Sequence, residues 1–335
     1  MRFSKYFEEW LYGKDGYYTK YNSIGKDGDF YTAVSTSKFF GGTIAKKIVE
    51  TIESGFLPED TTIVEVGAHH GYLLSDIIEF INTLKPELIE TLNFAIVERF
   101  DHLKEKQIEY FDKCFGDVIK LSHYSDVKEL KLDSAYVVAN EIFDAFPCEL
   151  VYKKDGNREL VAIENDELGF VENDDAFLNK ICDKYSIQKG EIALGYKEFA
   201  KALHDGIDKF EFITFDYGDE YHRNDFSTRI YHQHKVYPIF EENLNLKQYF
   251  GDSDITFDVH FRYLIDQFEE AGVKNIEYKT QLKALVDMGI TDLLEMVKTH
   301  AGEKAYTIEL GKVKTLIDPS GMGERFKMAL FRKGI

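Results

Sequence analysis

Apolar and polar positions alternate between two periods along this chain, and the switches between them set out its elements. Residues 3–12 place apolar side chains at helical spacing, and a second helical stretch runs from near Ser35 to about Ser54, with Gly55 as its stop. Strand and helix signals then take turns. A strand is predicted at 62–66, a helix at 72–84, a strand at 92–97, a helix at 100–111 and a strand at 134–139. Residues 148–172 alternate around Asp155-Gly156-Asn157 and Asn165-Asp166-Glu167, which predicts β-hairpins. Helices follow near 174–184 and 196–205, then a core strand at 210–218. A helix at 260–271, a strand at 275–279, helices between 281 and 300 and a last strand at 326–331 complete the order. This is the pattern of a mostly parallel sheet wrapped by helices, with insertions and no recognisable linker or repeat. The expected partition is an N-terminal helical segment, 1–60, packed on a core of 61–335 that carries insertions at about 148–209 and 281–325.

Composition narrows the class. Hydrophobic residues make up 44% and charged residues 30% of the 335, enough to bury a large core. No run of 18 apolar residues occurs, so no membrane insertion is expected, and the first residues lack the apolar core of a secretory signal. A cytoplasmic location is the resulting expectation. Cys114, Cys148 and Cys182 are too few and too widely spaced for a disulfide framework or a metal site. The net charge of −19 disfavours nucleic acid and favours a basic protein or peptide partner, although solubility alone accounts for an acidic surface.

The stretch Ile63-Val64-Glu65-Val66-Gly67-Ala68-His69-His70-Gly71-Tyr72 is the densest source of chemistry. A strand, a glycine-bounded turn and a helix start succeed one another, with an acid two places before the first glycine. Gly-x-Gly-x-x-Gly, the dinucleotide fingerprint, is absent, which argues against a dehydrogenase. The acid-x-Gly-x-x-x-Gly order suits a ligand with an amine-bearing end, of which S-adenosylmethionine is the common case. The glycines admit close backbone approach and Glu65 accepts hydrogen bonds. An ordinary strand-to-helix turn is the competing reading, and His69 at the centre of the turn weakens the pattern. A second acid, Glu98, ends the apolar run 92–97, where doubly wound folds hold ribose hydroxyls. Gly116-Asp117 is read as the tip of a third strand, facing the adenine.

Asn140-Glu141-Ile142-Phe143-Asp144 directly follows a buried strand and is the best candidate for reaction chemistry. A carboxylate there holds a guanidinium through paired hydrogen bonds. The alternative is that Asn140 caps a turn and Asp144 faces solvent. His69-His70 lack a third metal ligand, and His232 and His234 are placed on one face of a strand, where packing and hydrogen bonding outweigh metal binding. Tyr17, Tyr18, Tyr21, Phe30 and Tyr31 are candidates to line a substrate channel.

Taken in order, these segments resemble the MidA-type protein arginine methyltransferases, relatives of the mitochondrial complex I assembly methyltransferase, over nearly the whole chain. The residues that carry the resemblance are Gly28-Asp29-Phe30-Tyr31-Thr32 with Phe40-Gly41; Val64-Glu65-Val66-Gly67 and Gly71; and Val97-Glu98 with Leu103 and Gln107. Asn140-Glu141, Phe143-Asp144-Ala145 and Pro147 continue the match. So do Asp216-Tyr217-Gly218, Arg229, Tyr231, His234, Asp254-Ile255-Thr256 and Met322-Gly323-Glu324-Arg325-Phe326-Lys327.

The resemblance implies an α/β, class I SAM-dependent methyltransferase fold, Rossmann-like, with helical and hairpin insertions. It implies S-adenosylmethionine held by Gly28, Phe30, Thr32, Glu65, Gly67, Gly71, Glu98, Asp117 and Asn140. Glu141, Asp144 and Asp216 then serve an arginine of a protein substrate, a respiratory complex I subunit in the family, with the oligomeric state open. A methyltransferase-fold protein that binds or assembles without catalysis is the alternative, because the chain departs from the family at points that matter. Ala68-His69-His70 replaces Pro-Gly-Arg, Ser35 and Gly42 stand where glutamates are usual, and His260 stands for an aspartate.

Overall fold

The computed structural model describes residues 1–20, 32–165 and 167–334. The chain forms two compact units. One comprises Thr32–Glu141, Glu198–Asp216 and Phe268–Ile335, the other Met1–Tyr31, Ile142–Lys197 and Tyr217–Gln267. The chain passes between them at 31/32, 141/142, 197/198, 216/217 and 267/268.

The first unit is built on a sheet whose strands we number β1 (Thr62–Val66), β2 (Asn93–Val97), β3 (Leu121–Tyr124), β4 (Leu132–Asn140), β5 (Ile207–Asp219), β6 (Lys274–Thr280) and β7 (Phe326–Lys333). Their spatial order is β6-β7-β5-β4-β1-β2-β3. β1 pairs in parallel with both β2 and β4, so Val64 stands opposite Ala95 and Val137. β4 pairs in parallel with β5, while β6 and β7 are antiparallel. Ile63, Val64, Tyr136, Val137, Phe210, Phe212 and Ile213 are fully buried, as strands covered on both faces require. Arg332 on β7 meets the buried carboxylate of Glu211 on β5 at 2.5 Å, and Thr51 also donates to that carboxylate.

Helices Phe39–Glu53 and Tyr72–Leu84 pack on the sheet through Ile44, Ile48, Leu73, Leu74, Ile77 and Ile81. A Cβ on Gly42 would stand 2.6 Å from the ring of Phe80 on the second helix, so glycine sets how closely the two run. The helices expected at 281–300 are Gln281–Asp287 and Ile290–Ile317, the latter broken at Gly302 and reaching well past the expected end. The third strand lies at 121–124 and not before Gly116-Asp117, because an edge strand of three half-buried residues and one exposed residue leaves almost no periodic signal.

The second unit holds a four-stranded antiparallel sheet, in the order 167–172, 157–164, 148–154 and 189–193. A three-stranded sheet places 229–232 between 235–238 and 254–256. Helix Phe3–Tyr12 buries Phe3, Phe7, Trp10 and Leu11, one side of a helix, and the Trp10 indole donates to Ser253 O at 2.7 Å. Asp175 caps helix Ala176–Tyr185 by accepting from the amides of Phe177 and Leu178. His232 and His234 do not share a strand. Gln233 and His234 have φ of 50° and 62° and form the two-residue turn joining 229–232 to 235–238. His232 instead shares a 2.9 Å hydrogen bond with Ser253 Oγ. Among the described residues no helix is long and apolar enough to cross a membrane, and no group of His, Cys, Asp and Glu could hold a metal ion.

Candidate active site

The carboxyl ends of β1, β2, β4 and β5 lie along one edge of the parallel sheet, and the site is assembled there. At the tip of β1 the Gly67 amide donates to Val97 O at 3.0 Å, fastening the turn to the end of β2. Gly67 and Gly71 hold φ of 72° and 77°, and a Cβ on Gly71 would also stand 2.9 Å from Phe111. Gly71 is therefore required twice, for its backbone and for its neighbour. His69 takes φ of 49°, a conformation its family counterpart glycine adopts at no cost. Its ring lies edge-on to His70, which stacks on Tyr72.

Glu65 is 4% exposed, and its Oε2 accepts the Leu74 amide at 3.0 Å. Burial pushes its carboxyl up to about 8, against the pull of that amide, with Asp76 and Glu98 adding to the rise. Glu98 is also buried, and burial raises it too. Its oxygens accept from the Phe100 amide at 3.2 Å and from Gln107 Nε2 at 3.5 Å. Gln107, fully buried, donates the same Nε2 to His69 O at 2.8 Å and accepts at Oε1 from His123 Nε2 at 2.9 Å. Because an amide oxygen only accepts, this geometry places the proton of a neutral His123 on Nε2. Burial, aided by Lys104, lowers its basicity. The role of Gln107 as the tie between loop and acid was not read from the sequence. Its signal was a polar residue on the apolar line of Leu103 and Phe111 in helix Asp101–Phe115.

Asn140, at the end of β4, stands opposite Phe215 on β5, which sets Glu141 and Asp216 one residue further along each strand. Glu141 adopts φ of 53°, its amide donates to Phe215 O at 2.8 Å, and its Oε1 accepts from Asn140 Nδ2 at 2.8 Å. Asn140 Oδ1 is buried without a hydrogen-bond partner among the described residues. Asp216 is fully buried.

The remaining candidates are placed as follows. Thr32 caps helix Ala33–Thr36: its hydroxyl accepts from the Ser35 amide at 3.1 Å, and the Ser35 hydroxyl accepts from the Thr32 amide at 3.0 Å. The serine that replaces a family glutamate thus closes a capping box. Gly28 and Phe30, with Tyr21 and Tyr31, lie outside the described residues. Asp117 is not at a strand tip. It sits exposed in a 3-10 turn, Gly116–Val118, leading into β3, and so at the amino end of a strand parallel to β2. The expectation mistook a helix-terminating glycine turn for a strand end.

Asp144 belongs to the other unit and is 6% exposed. Its Oδ2 accepts from Tyr217 at 2.5 Å and Thr256 at 2.7 Å, and those two hydroxyls touch each other. The Arg229 guanidinium lies 4.7 Å over the Tyr217 ring and donates to Asp258 at 2.7 Å. Burial raises the Asp144 carboxyl, opposed by Tyr217, Thr256 and Arg229. His260, in place of an aspartate, is buried against Tyr185, and burial holds it neutral by lowering its pKa to about 3.

An orphaned Asn140 oxygen, two left-handed glycines and two buried acids on one sheet edge fit a ligand offering an amine and ribose hydroxyls. With the β3-β2-β1-β4-β5 parallel order and β6-β7 closing it, they define a class I SAM-dependent methyltransferase. The chain belongs to the family described as "Putative S-adenosyl-L-methionine-dependent methyltransferase", matched over residues 43–279. It is 25% identical to the rat "Protein arginine methyltransferase NDUFAF7, mitochondrial", over 93% of this chain and 76% of the relative. The zebrafish protein of the same name is 25% identical, over 93% and 78%. A Burkholderia thailandensis structure bound to S-adenosyl-homocysteine superposes with a TM-score of 0.85 at 24% identity, over 100% of this chain and 88% of that one. The native form from the same organism gives 0.82 at 25%.

These relatives overturn the cytoplasmic expectation, since their names place them in mitochondria. The test for a secretory signal sorts secreted from other proteins and carries no information on organelles.

Proposed function

We propose that the chain transfers a methyl group from S-adenosylmethionine to an arginine of a protein. The observation that carries this reading is Glu141, set by Asn140 and by its own bond to Phe215 O beside the buried Asp216, on the edge that also holds Glu65 and Glu98. The names of the curated relatives support the acceptor class. Glu65 and the Gly67–Gly71 turn would hold the amino-acid end of the cofactor, Glu98 the ribose, and Asn140 Oδ1 a further polar group. When bound, the cofactor supplies an electrophilic methyl on a sulfonium.

Glu141 would hold the guanidinium through paired hydrogen bonds and fix the attacking nitrogen in line, and orientation of this kind is worth about 7–11 kcal/mol of barrier. As the N–C bond forms, the sulfonium S–C bond breaks with its electron pair left on sulfur. The carboxylate stabilises the growing cation and takes the proton late. A subunit of respiratory complex I is the acceptor that family resemblance indicates.

Glu141→Gln should abolish transfer of labelled methyl from S-adenosylmethionine to protein arginine while leaving cofactor affinity within a few-fold; unchanged turnover would remove that role. A catalytically silent binding or assembly protein is the second reading. It is favoured by Gly42, where a side chain would run into the Phe80 ring, and by the left-handed His69. Methyl transfer that disappears in Glu65→Ala would eliminate it.

A further inference from the structure

Strand Glu167–Glu172 is an outer edge of the four-stranded sheet of the second unit, and five of its six residues are exposed. The Asn173 amide donates to Arg158 O at 2.9 Å. Antiparallel alternation from that bond turns the amides and carbonyls of Leu168, Phe170 and Glu172 outward, away from strand 157–164. Nothing lies within 4 Å of a Cβ built on Gly169 at the middle of the edge. Phe170 and Val171 are 45% and 48% exposed. Phe170 continues an aromatic ladder, with Phe240 parallel to it at 6.0 Å and Phe226 stacked on Phe240 at 4.7 Å. This is an unblunted edge with an apolar centre.

Its ends carry an electrostatic fault. Glu172 lies directly opposite Glu159, and Glu167 directly opposite Glu164. Like charges so placed are destabilising. Neither pair has an ion-pair partner among the described residues. Edge-to-edge pairing with a second copy would add more glutamates to each end, so the arrangement disfavours the chain's own strand. A strand bearing cations would relieve it. Glu167 and Glu172 are an odd number of residues apart and therefore face opposite sides of the sheet.

We propose that this edge receives an extended segment of the protein acceptor as an added fifth strand, with a lysine or arginine near each end and small apolar residues between. The inference rests on the protein-acceptor reading above. Backbone pairing supplies affinity and the glutamates supply selectivity for basic chains.

The test uses the peptide acetyl-Lys-Val-Thr-Val-Thr-Lys-amide on the full chain, followed by hydrogen exchange of residues 167–172 and by calorimetry at low and high salt. Expected are slowed exchange of the Leu168, Phe170 and Glu172 amides, affinity that falls about tenfold with salt, and no binding of the same peptide with glutamates for lysines. The double variant Glu167→Lys/Glu172→Lys places opposite charges across each pair. It should fold, retain S-adenosylmethionine binding and bind the peptide at least tenfold more weakly. Unprotected amides, or equal affinity in the double variant, would overturn the proposal. So would protection that appears without peptide as protein concentration rises, which assigns the edge to a second copy. Peptide docking without methylation of any protein arginine would instead sink the acceptor reading and leave the edge a site for cationic strands.

Discussion

Gln107 ties the carbonyl of His69 to the carboxylate of Glu98 with a single amide nitrogen, at 2.8 and 3.5 Å. One side chain thereby sets the spacing between the β1 turn and the acid at the tip of β2. Gln107→Leu leaves a buried carbonyl and a buried carboxylate without this donor, a loss of about 1–3 kcal/mol. Affinity for S-adenosylmethionine, measured by calorimetry, should fall about tenfold, with a modest drop in melting temperature.

Glu65 and Asp76 title the acid–base behaviour of the ligand-free protein. Burial lifts them from 4.5 to about 8 and from 3.8 to about 7. Between those limits the native state binds more protons than the unfolded chain, so stability decreases as pH rises from about 5 to about 8. Thermal melts across that range should show the decline, and Glu65→Gln should flatten it. A cationic amine near Glu65 favours its ionised form, so cofactor binding near neutral pH should release protons, measurable as a buffer-dependent enthalpy.

His69→Gly removes a side chain from a left-handed position. Relief of that conformation is worth about 1 kcal/mol, and cofactor affinity should hold or improve. A weaker affinity would show that the imidazole itself contacts the ligand.

Gly42→Glu restores the glutamate usual in the family and drives it into the Phe80 ring. Overpacking of this kind costs about 1–3 kcal/mol. Chemical denaturation should report that loss, and a second change, Phe80→Ala, should recover part of it by making room.

Tyr217→Phe deprives the buried Asp144 of its hydroxyl donor and should cost about 1–3 kcal/mol. If the loss is confined to stability, transfer rates at low temperature will be unchanged; a lower rate would tie the pair to the reaction.

The sequence made the alternating elements legible because long apolar runs such as 134–139 and strong helical stripes such as 72–84 admit one reading each. That Glu65, Gly67, Glu98, Asn140 and Glu141 share one sheet edge was legible because each sits at or just beyond the carboxyl end of such a run, and Gly71 because a helical stripe begins beside it. Asp117 misled because a glycine that ends a helix and one that follows a strand look alike in sequence. The His232 and His234 pairing failed because nothing in Gln233-His234 advertises a turn without glycine or asparagine. The Tyr217–Asp144–Thr256 contact joins residues up to 112 positions apart, a separation that no local periodicity reports.

β7 follows β6 in sequence, yet in the sheet it lies between β5 and β6. During synthesis, β6 therefore leaves the ribosome with its neighbour still unmade, whereas β1, β2 and β4, whose carboxyl ends carry Glu65, Glu98 and Glu141, are complete by then. The closing step on this side of the sheet waits on the synthesis of residues 326–333. Deleting residues 326–334 would strand β6 while sparing the pairings that hold Glu65, Glu98 and Glu141 in place.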